Sequence, residues 1–300
     1  MMPPDWIAVD WGTSNLRAWA MGPGGVLDEA ASGDGMGTLA RDAFEPALLR
    51  LIDPWLVPGR AIPVVACGMV GSRQGWMEAP YRAVPCTPLD PAATVPVPTR
   101  DPRIAVRLVP GLMQDRPADV MRGEETQIAG ALALVPGFDG VLCHPGTHAK
   151  WARISAGEVA GFASCMTGEL FALLSERSVL RHGMAGGDWD AAAFDRGVRD
   201  GLAEASRLAA LLFGLRAEGL LHGLAPGAAR SRLSGLLIGA ELAAMRHWWL
   251  GQSILLVGAE ALARTYARAL EAQGAAPRVL SGTDCAIAGL TAARHRREHA

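Results

Sequence analysis

Ile7-Ala8-Val9-Asp10-Trp11-Gly12-Thr13-Ser14-Asn15-Leu16-Arg17-Ala18-Trp19 is the stretch from which the rest of the chain can be read. Two apolar runs flank a polar centre, so residues 7–9 read as a buried strand and 16–20 as the strand returning beside it. Gly12 lets a ligand approach the backbone closely. Thr13, Ser14 and Asn15 offer hydroxyl, amide and main-chain N–H groups to phosphate oxygens. Asp10, at the strand end, suits a hydrated Mg²⁺. The same residues also make an ordinary hairpin with a polar turn.

Five further stretches set small polar or charged residues beside glycines. They are Gly68-Met69-Val70-Gly71-Ser72, Met121-Arg122-Gly123-Glu124-Glu125-Thr126-Gln127, Pro145-Gly146-Thr147-His148-Ala149-Lys150-Trp151, Met166-Thr167-Gly168-Glu169-Leu170 and Leu233-Ser234-Gly235-Leu236-Leu237-Ile238-Gly239-Ala240-Glu241. The opening turn, Asp-x-Gly-Thr with an Arg in the returning strand, resembles the first phosphate loop of the actin, heat-shock chaperone and sugar-kinase superfamily. All six stretches in this order resemble one of its families, the 2-dehydro-3-deoxygalactonokinases. The proline-rich residues 80–119 match least.

Composition agrees with a globular chain. Half of the 300 residues are apolar, 19% are charged and the net charge is −2. Basic residues are scattered, which speaks against a nucleic-acid partner. The one basic run, Arg294-His295-Arg296-Arg297-Glu298-His299, is expected to be a frayed end. No apolar run is long enough to cross a bilayer and Met1-Met2-Pro3-Pro4-Asp5 does not read as a signal peptide, so no membrane partner is expected. Five irregularly spaced cysteines suit reduced thiols and a cytoplasmic location.

Two cycles of strand, glycine turn and returning strand follow one another. The second begins at Gly140-Val141-Leu142-Cys143 and turns at His144-Pro145-Gly146-Thr147. A boundary near Pro136 divides the chain into 1–136 and 137–300, two similar halves as the superfamily implies. Between the turns, helical spacing is predicted over 44–55 and 124–134, and strands over 63–67 and 104–109. Further on, 198–215 and 233–248 each show one apolar helical face, 254–257 and 278–280 read as strands, and 262–270 and the residues from Asp284 as helices.

The resemblance implies two actin-like (ribonuclease H-like) α/β domains with a nucleotide cleft between them. It also implies ATP-dependent, Mg²⁺-assisted phosphorylation of the C6 hydroxyl of 2-dehydro-3-deoxygalactonate, a 2-oxo-3-deoxy sugar acid. The first domain would hold the sugar acid and the first phosphate loop; the second would hold the second phosphate loop and the adenosine loop. Nucleotide is expected at Gly12, Thr13, Ser14 and Asn15, at Gly146, Thr147 and His148, and at Gly258 and Ala259 between strand and helix. Lys150 is expected to offset transition-state charge.

The second loop has His144-Pro145 where many superfamily members have Asp, which leaves metal ligation to Asp10. Cys143, His144 and His148 form an alternative metal set. A kinase needs a base for the attacking hydroxyl and a cation for the substrate carboxylate. Glu124 is taken as the base and Arg122 with Glu125 as substrate partners, although the sequence does not decide between Glu124 and Glu125, and Asp10 is a further alternative for the base. Arg17, Gly71, Ser72, Arg73, Thr167 and Glu169 are expected to line the same pocket. Ser281-Gly282-Thr283-Asp284 reads as a helix cap, and Gly235 and Gly239 as small residues for close helix packing. A kinase for another sugar acid and a non-catalytic nucleotide-dependent sensor are the competing readings, and a homodimer stays open.

Overall fold

The computed structural model describes residues 3–294, so the basic tail from His295 onward lies outside the described residues. The chain divides into two compact units. The first contains β1 (Trp6–Trp11), β2 (Leu16–Gly22), β3 (Gly25–Ser32), α1 (Phe44–Ile52) and β4 (Ile62–Gly68). It continues with β5 (Arg82–Ala83), β6 (Val95–Val97), β7 (Ile104–Leu108), β8 (Leu112–Gln114), β9 (Asp119–Met121) and α2 (Glu124–Leu134). Then come β10 (Gly140–His144), β11 (Ala149–Ser155), β12 (Glu158–Cys165), α3 (Thr167–Glu176), α4 (Ala191–Ala203) and α5 (Leu208–Leu221), which belong to the second unit except at residues 154–161. After these come α6 (Pro226–Ala244), α7 (Arg246–Trp249), β13 (Ile254–Gly258), α8 (Glu260–Glu271) and β14 (Arg278–Ser281), and α9 (Gly282–Arg294) closes the described chain.

The main sheet of the first unit runs β3-β2-β1-β4-β7-β6. Strands β1 to β3 form an antiparallel meander, while β1, β4 and β7 are parallel. A central strand buried on both faces reads as a near-continuous apolar run, and β1 is one apart from Asp10, which is partly exposed. Phe44, Leu48 and Ile52 of α1 cover Ile7, Val9 and Trp11 on one face. Leu290 and Ala293 of α9 cover Ala8, Trp19 and Cys67 on the other.

The second unit repeats this order in β12-β11-β10-β13-β14. Strands β10, β13 and β14 are parallel. Only four residues join the neighbours β10 and β11, which leaves antiparallel pairing as the one arrangement within reach. The two units are therefore similar α/β folds. Among the described residues no helix is long and apolar enough to cross a membrane.

Two expectations need correction. Residues 137–300 do not form one unit: 154–161 and 282–294 group with the first. Backbone contact is the cause for α9. A side chain on Gly130 would stand 1.8 Å from the Cys285 carbonyl, and one on Gly289 1.9 Å from that of Thr126, so α2 and α9 touch where both lack side chains. At 154–161, Val159 exchanges two main-chain hydrogen bonds with Cys86. The apolar face predicted over 198–215 is two helices, broken at Glu204. Val198 and Leu202 join the core around Trp151, whereas Leu208, Leu211, Leu212 and Leu215 join a separate cluster around Leu180 and Met184.

Candidate active site

In the first unit the predicted residues gather at the C-terminal ends of β1 and β4, where α/β sheets bind ligands. Register pairs Asp10 with Arg17 across the hairpin, and Arg17 Nη2 meets Asp10 Oδ2 at 2.5 Å. Arg17 also donates to Thr283 Oγ1 at 3.3 Å. Helix α9 starts at Gly282, directly after β14, which puts Ser281 at the expected cap position and Thr283 in the first turn, where it receives Arg17. Parallel pairing sets Asp10 beside Cys67 and Trp11 beside Gly68. Gly68 has φ +90°, and a Cβ there would lie 2.7 Å from the Trp11 carbonyl. Gly123, at φ +108°, enters α2 against the Cα of Gly68. Strand end, glycine turn and helix start are thereby drawn together.

The polar turn is closed by the Gly12 amide donating to the Asn15 carbonyl at 2.9 Å, and it presents exposed Thr13, Ser14 and Asn15. A bracing loop escaped the sequence reading. Met36 and Gly37 donate to the carbonyls of Gly12 and Thr13 at 3.0 and 2.8 Å, and Gly35 lies against the Ser14 backbone with no room for a side chain. The signal was present in Gly33-Asp34-Gly35-Met36-Gly37, whose alternating glycines mark close backbone approach.

Arg122 is 8% exposed and held on two sides. Its Nη2 donates to the Ala79 carbonyl at 2.8 Å, and its guanidinium carbon lies 4.2 Å from the Tyr81 ring centroid. Its Nε and Nη1 are buried without a partner, as is the hydroxyl of Ser72. Gly71 makes room, since a Cβ there would be 3.0 Å from Nη1. Buried donors left open in this way mark a place for an acceptor, and the N–H groups of a buried guanidinium suit an anionic one such as a carboxylate.

Glu124 and Glu125 separate into different environments. Glu124 is half-buried and accepts the Arg122 amide at 3.0 Å. Glu125 is wholly buried, accepting from the Gly123 amide at 2.6 Å and the Thr126 hydroxyl at 2.9 Å. Burial, with the Glu124 charge second, pushes its carboxyl up to about 8. Arg73 does not join the site. The chain reverses where Gly75 and Trp76 donate to the carbonyls of Ser72 and Val70, and the Arg73 side chain faces solvent with Glu78 3.8 Å away.

In the second unit, Pro145 to His148 form the β10–β11 turn, and the start of α3 docks onto it. The Glu169 amide donates to the Thr147 carbonyl at 2.9 Å, and a Cβ on Gly168 would be 2.2 Å from the Gly146 carbonyl. His148 Nε2 and Glu169 Oε2 lie 2.5 Å apart. Gly258 ends β13 beside the Pro145 carbonyl, and Ala259 caps α8. A cavity of about 290 Å³ opens next to the turn, lined by Thr147, Gly168, Phe171, Leu237, Leu262 and Tyr266 among others.

Several of the expected residues have partners of their own here. Thr167 and Glu169, expected to face the sugar acid, are attached to the second turn, and the Thr167 hydroxyl bonds Glu241. Lys150 is buried on β11 and donates to Ser164 Oγ at 2.6 Å. His144 is buried with neither ring nitrogen bonded; burial, then the Lys150 charge, lowers it to about 3, so it is neutral. Among the described residues no group of three or more His, Cys, Asp or Glu is placed to hold a metal, so the Cys143, His144 and His148 set does not form. A groove of about 770 Å³ lined by Arg41, Glu45, Trp76 and Arg100 shares none of the site residues.

Two α/β units of the same strand order, each opening on a strand, a small polar turn and a returning strand, define the class shared by actin, heat-shock chaperones and sugar kinases. Residues 10–293 match the family model for 2-keto-3-deoxy-galactonokinase. A Rhizobium meliloti (strain 1021) protein named probable 2-dehydro-3-deoxygalactonokinase DgoK1 is 40% identical over 296 residues, 95% of each chain. The 2-dehydro-3-deoxygalactonokinase of Escherichia coli (strain K12) is 35% identical, over 98% of this chain and 99% of that one. The crystal structure of a Sinorhizobium meliloti protein described as a candidate for the same activity superposes with a TM-score of 0.88. That protein is 39% identical, and the match covers 96% of this chain and 97% of that one. The chain belongs to the 2-keto-3-deoxy-galactonokinase family.

Proposed function

We infer that this chain transfers the γ-phosphoryl group of ATP to the C6 hydroxyl of 2-dehydro-3-deoxygalactonate. Family membership supports the reaction, and one observation supports the substrate class. Arg122 offers two buried, open N–H groups beside the open hydroxyl of Ser72. A 2-oxo acid brings a carboxylate that these charged donors and the Ser72 hydroxyl would bind, and neutral polyols and hexoses lack it.

Glu124 serves as the base in this reading. Asp10 is engaged by Arg17 at 2.5 Å, and Glu125 is wholly buried with its carboxyl held up to about 8. Glu124, half-buried at the start of α2 beside Arg122, would accept the hydroxyl proton. The turns at Gly12–Asn15 and at Gly146–His148 would bind phosphate oxygens, with Gly258 and Ala259 toward the adenosine. A hydrated Mg²⁺ would be held by Asp10 and would neutralise charge on the phosphates. One carboxylate suits an ion that keeps most of its waters and takes the rest of its ligands from phosphate. The proposal carries with it the nucleotide cleft expected from the sequence. None of the five cysteines is in a disulfide, which supports a cytoplasmic setting.

The test is coupled ADP release with Mg-ATP and a panel of acceptors: 2-dehydro-3-deoxygalactonate, its gluconate epimer, glycerol and simple hexoses. Turnover confined to the galactonate compound supports the reading. Turnover only on another acceptor overturns the substrate, and no acceptor-dependent release from folded, ATP-binding protein overturns the kinase.

A further inference from the structure

Glu241 lies on α6 in a stretch that the sequence gives no site role. Its carboxylate is 5% exposed, yet it takes three hydrogen bonds from three other elements. Trp151 Nε1 of β11 donates to Oε1 at 2.7 Å. The Tyr266 hydroxyl of α8 donates to Oε2 at 2.8 Å, and the Thr167 hydroxyl of α3 donates to the same oxygen. A buried carboxylate is costly unless it is fully bonded, and this one is bonded only by groups around the β10–β11 turn. Trp151 lies three residues beyond His148 on the strand that leaves the turn. Thr167 precedes Gly168 and Glu169, which pack on the Gly146 and Thr147 backbone. Both Thr167 and Tyr266 line the cavity beside the turn.

We propose that Glu241 is a positioning residue for nucleotide binding: it fixes the second phosphate turn and the cavity wall by clamping Trp151, Thr167 and Tyr266 together. The proposal rests on the reading that the Gly146–His148 turn binds the phosphates of ATP. Removing the clamp frees the start of α3 to shift off the turn, with no effect on the groups that hold the sugar acid. Glutamine at 241 keeps the clamp. Its Oε1 accepts from Trp151, and its two N–H groups reach the oxygens of Thr167 and Tyr266, which accept in place of donating.

The experiment is steady-state kinetics with ATP and 2-dehydro-3-deoxygalactonate each varied, on wild type, Glu241→Ala, Glu241→Gln, Thr167→Val and Thr147→Val, with thermal melts to establish folding. Glu241→Ala is expected to raise KM for ATP about tenfold or more, the scale of one or two lost buried hydrogen bonds, with KM for the sugar acid within about twofold. Glu241→Gln is expected to stay within about threefold of wild type in both constants, because its bonds are replaced. If Glu241→Ala does not fold, Thr167→Val carries the test, with an expected rise of about threefold or more in KM for ATP alone. Folded Glu241→Ala or Thr167→Val with an unchanged KM for ATP overturns the proposal, as does an equal rise in both constants. Thr147→Val separates the two failures. If it raises KM for ATP while Glu241→Ala does not, only the positioning role fails. If neither does, the reading of the turn fails with it.

Discussion

The guanidinium of Arg122 rests on the Tyr81 ring with its carbon 4.2 Å from the centroid, and the Ala79 carbonyl fixes one of its amino groups at 2.8 Å. Two of the three guanidinium nitrogens are thus held open inside the protein. Replacing Arg122 by Lys removes the guanidinium while keeping the charge. The expected result is a fall of about 10- to 100-fold in kcat/KM for the sugar acid, from the loss of one charge-assisted hydrogen bond. KM for ATP should stay unchanged. Initial-rate kinetics with each substrate varied checks both parts.

Glu124 and Asp10 compete for the role of base. Glu124→Gln keeps the bond to the Arg122 amide through its carbonyl oxygen but removes the proton acceptor. It should lower kcat by about 10² to 10⁴, the range for general-base catalysis, and leave the ATP dissociation constant as it was. Calorimetric titration with ATP beside turnover assays makes the comparison. A variant with normal kcat hands the role to Asp10.

Glu125 couples folding to pH. Its carboxyl ionises near 4.5 when unfolded and near 8 when folded, so between these values the native state holds a proton that the unfolded chain has released. Its contribution is fully present below 4.5 and is lost as pH rises toward 8. Urea midpoints for Glu125→Gln should therefore gain on wild type steadily from pH 5 to pH 8, roughly the span between the two pKa values. His144 acts in the opposite sense. Held near 3 rather than 6.5, it is neutral in the folded state, and stability is lost as pH falls from 6.5 toward 3. His144→Gln should flatten that acid limb in the same measurement.

Glycine has opposite meanings at two helix positions. In α6, a Cβ on Gly235 would stand 2.2 Å from the Phe194 carbonyl of α4, and Gly239 is similarly close to that of Val198. Gly197 and Gly201 answer from α4 with equally short approaches to Arg232 and Leu236. Gly235→Ala should cost about 1–3 kcal/mol by overpacking. Gly214 in α5 has open space around it, and Gly214→Ala should stabilise by about 0.5–1 kcal/mol through helix propensity. Thermal melts of the two variants should move in opposite directions.

Much of this architecture was legible because the signals were local. The turn at Gly12, the strand into Gly68 and the start of α2 each lie within a few residues of their cause, and helix 124–134 was read with its observed bounds. Close packing at Gly235 and Gly239 was also read from their spacing. What escaped depends on partners distant in sequence. Glu241 reads as one more residue of a helix until Trp151, Thr167 and Tyr266 converge on it. The placement of α9 depends on Gly130 meeting Cys285, a contact between residues 155 apart with no periodic signal. The apolar stripe over 198–215 concealed a break, because both halves are apolar but face different clusters. Arg73 misled for a simpler reason: the residue next to a buried serine faces outward at a tight reversal.

The central claim is phosphoryl transfer to the primary alcohol of a 2-oxo-3-deoxy sugar acid, and proton-coupled ³¹P NMR of the product tests it most directly. Wild-type protein incubated with Mg-ATP and 2-dehydro-3-deoxygalactonate should give a new phosphomonoester resonance split into a triplet by the two C6 protons, rising as ADP accumulates. A doublet from a secondary carbon, or inorganic phosphate as the sole new signal, contradicts the account.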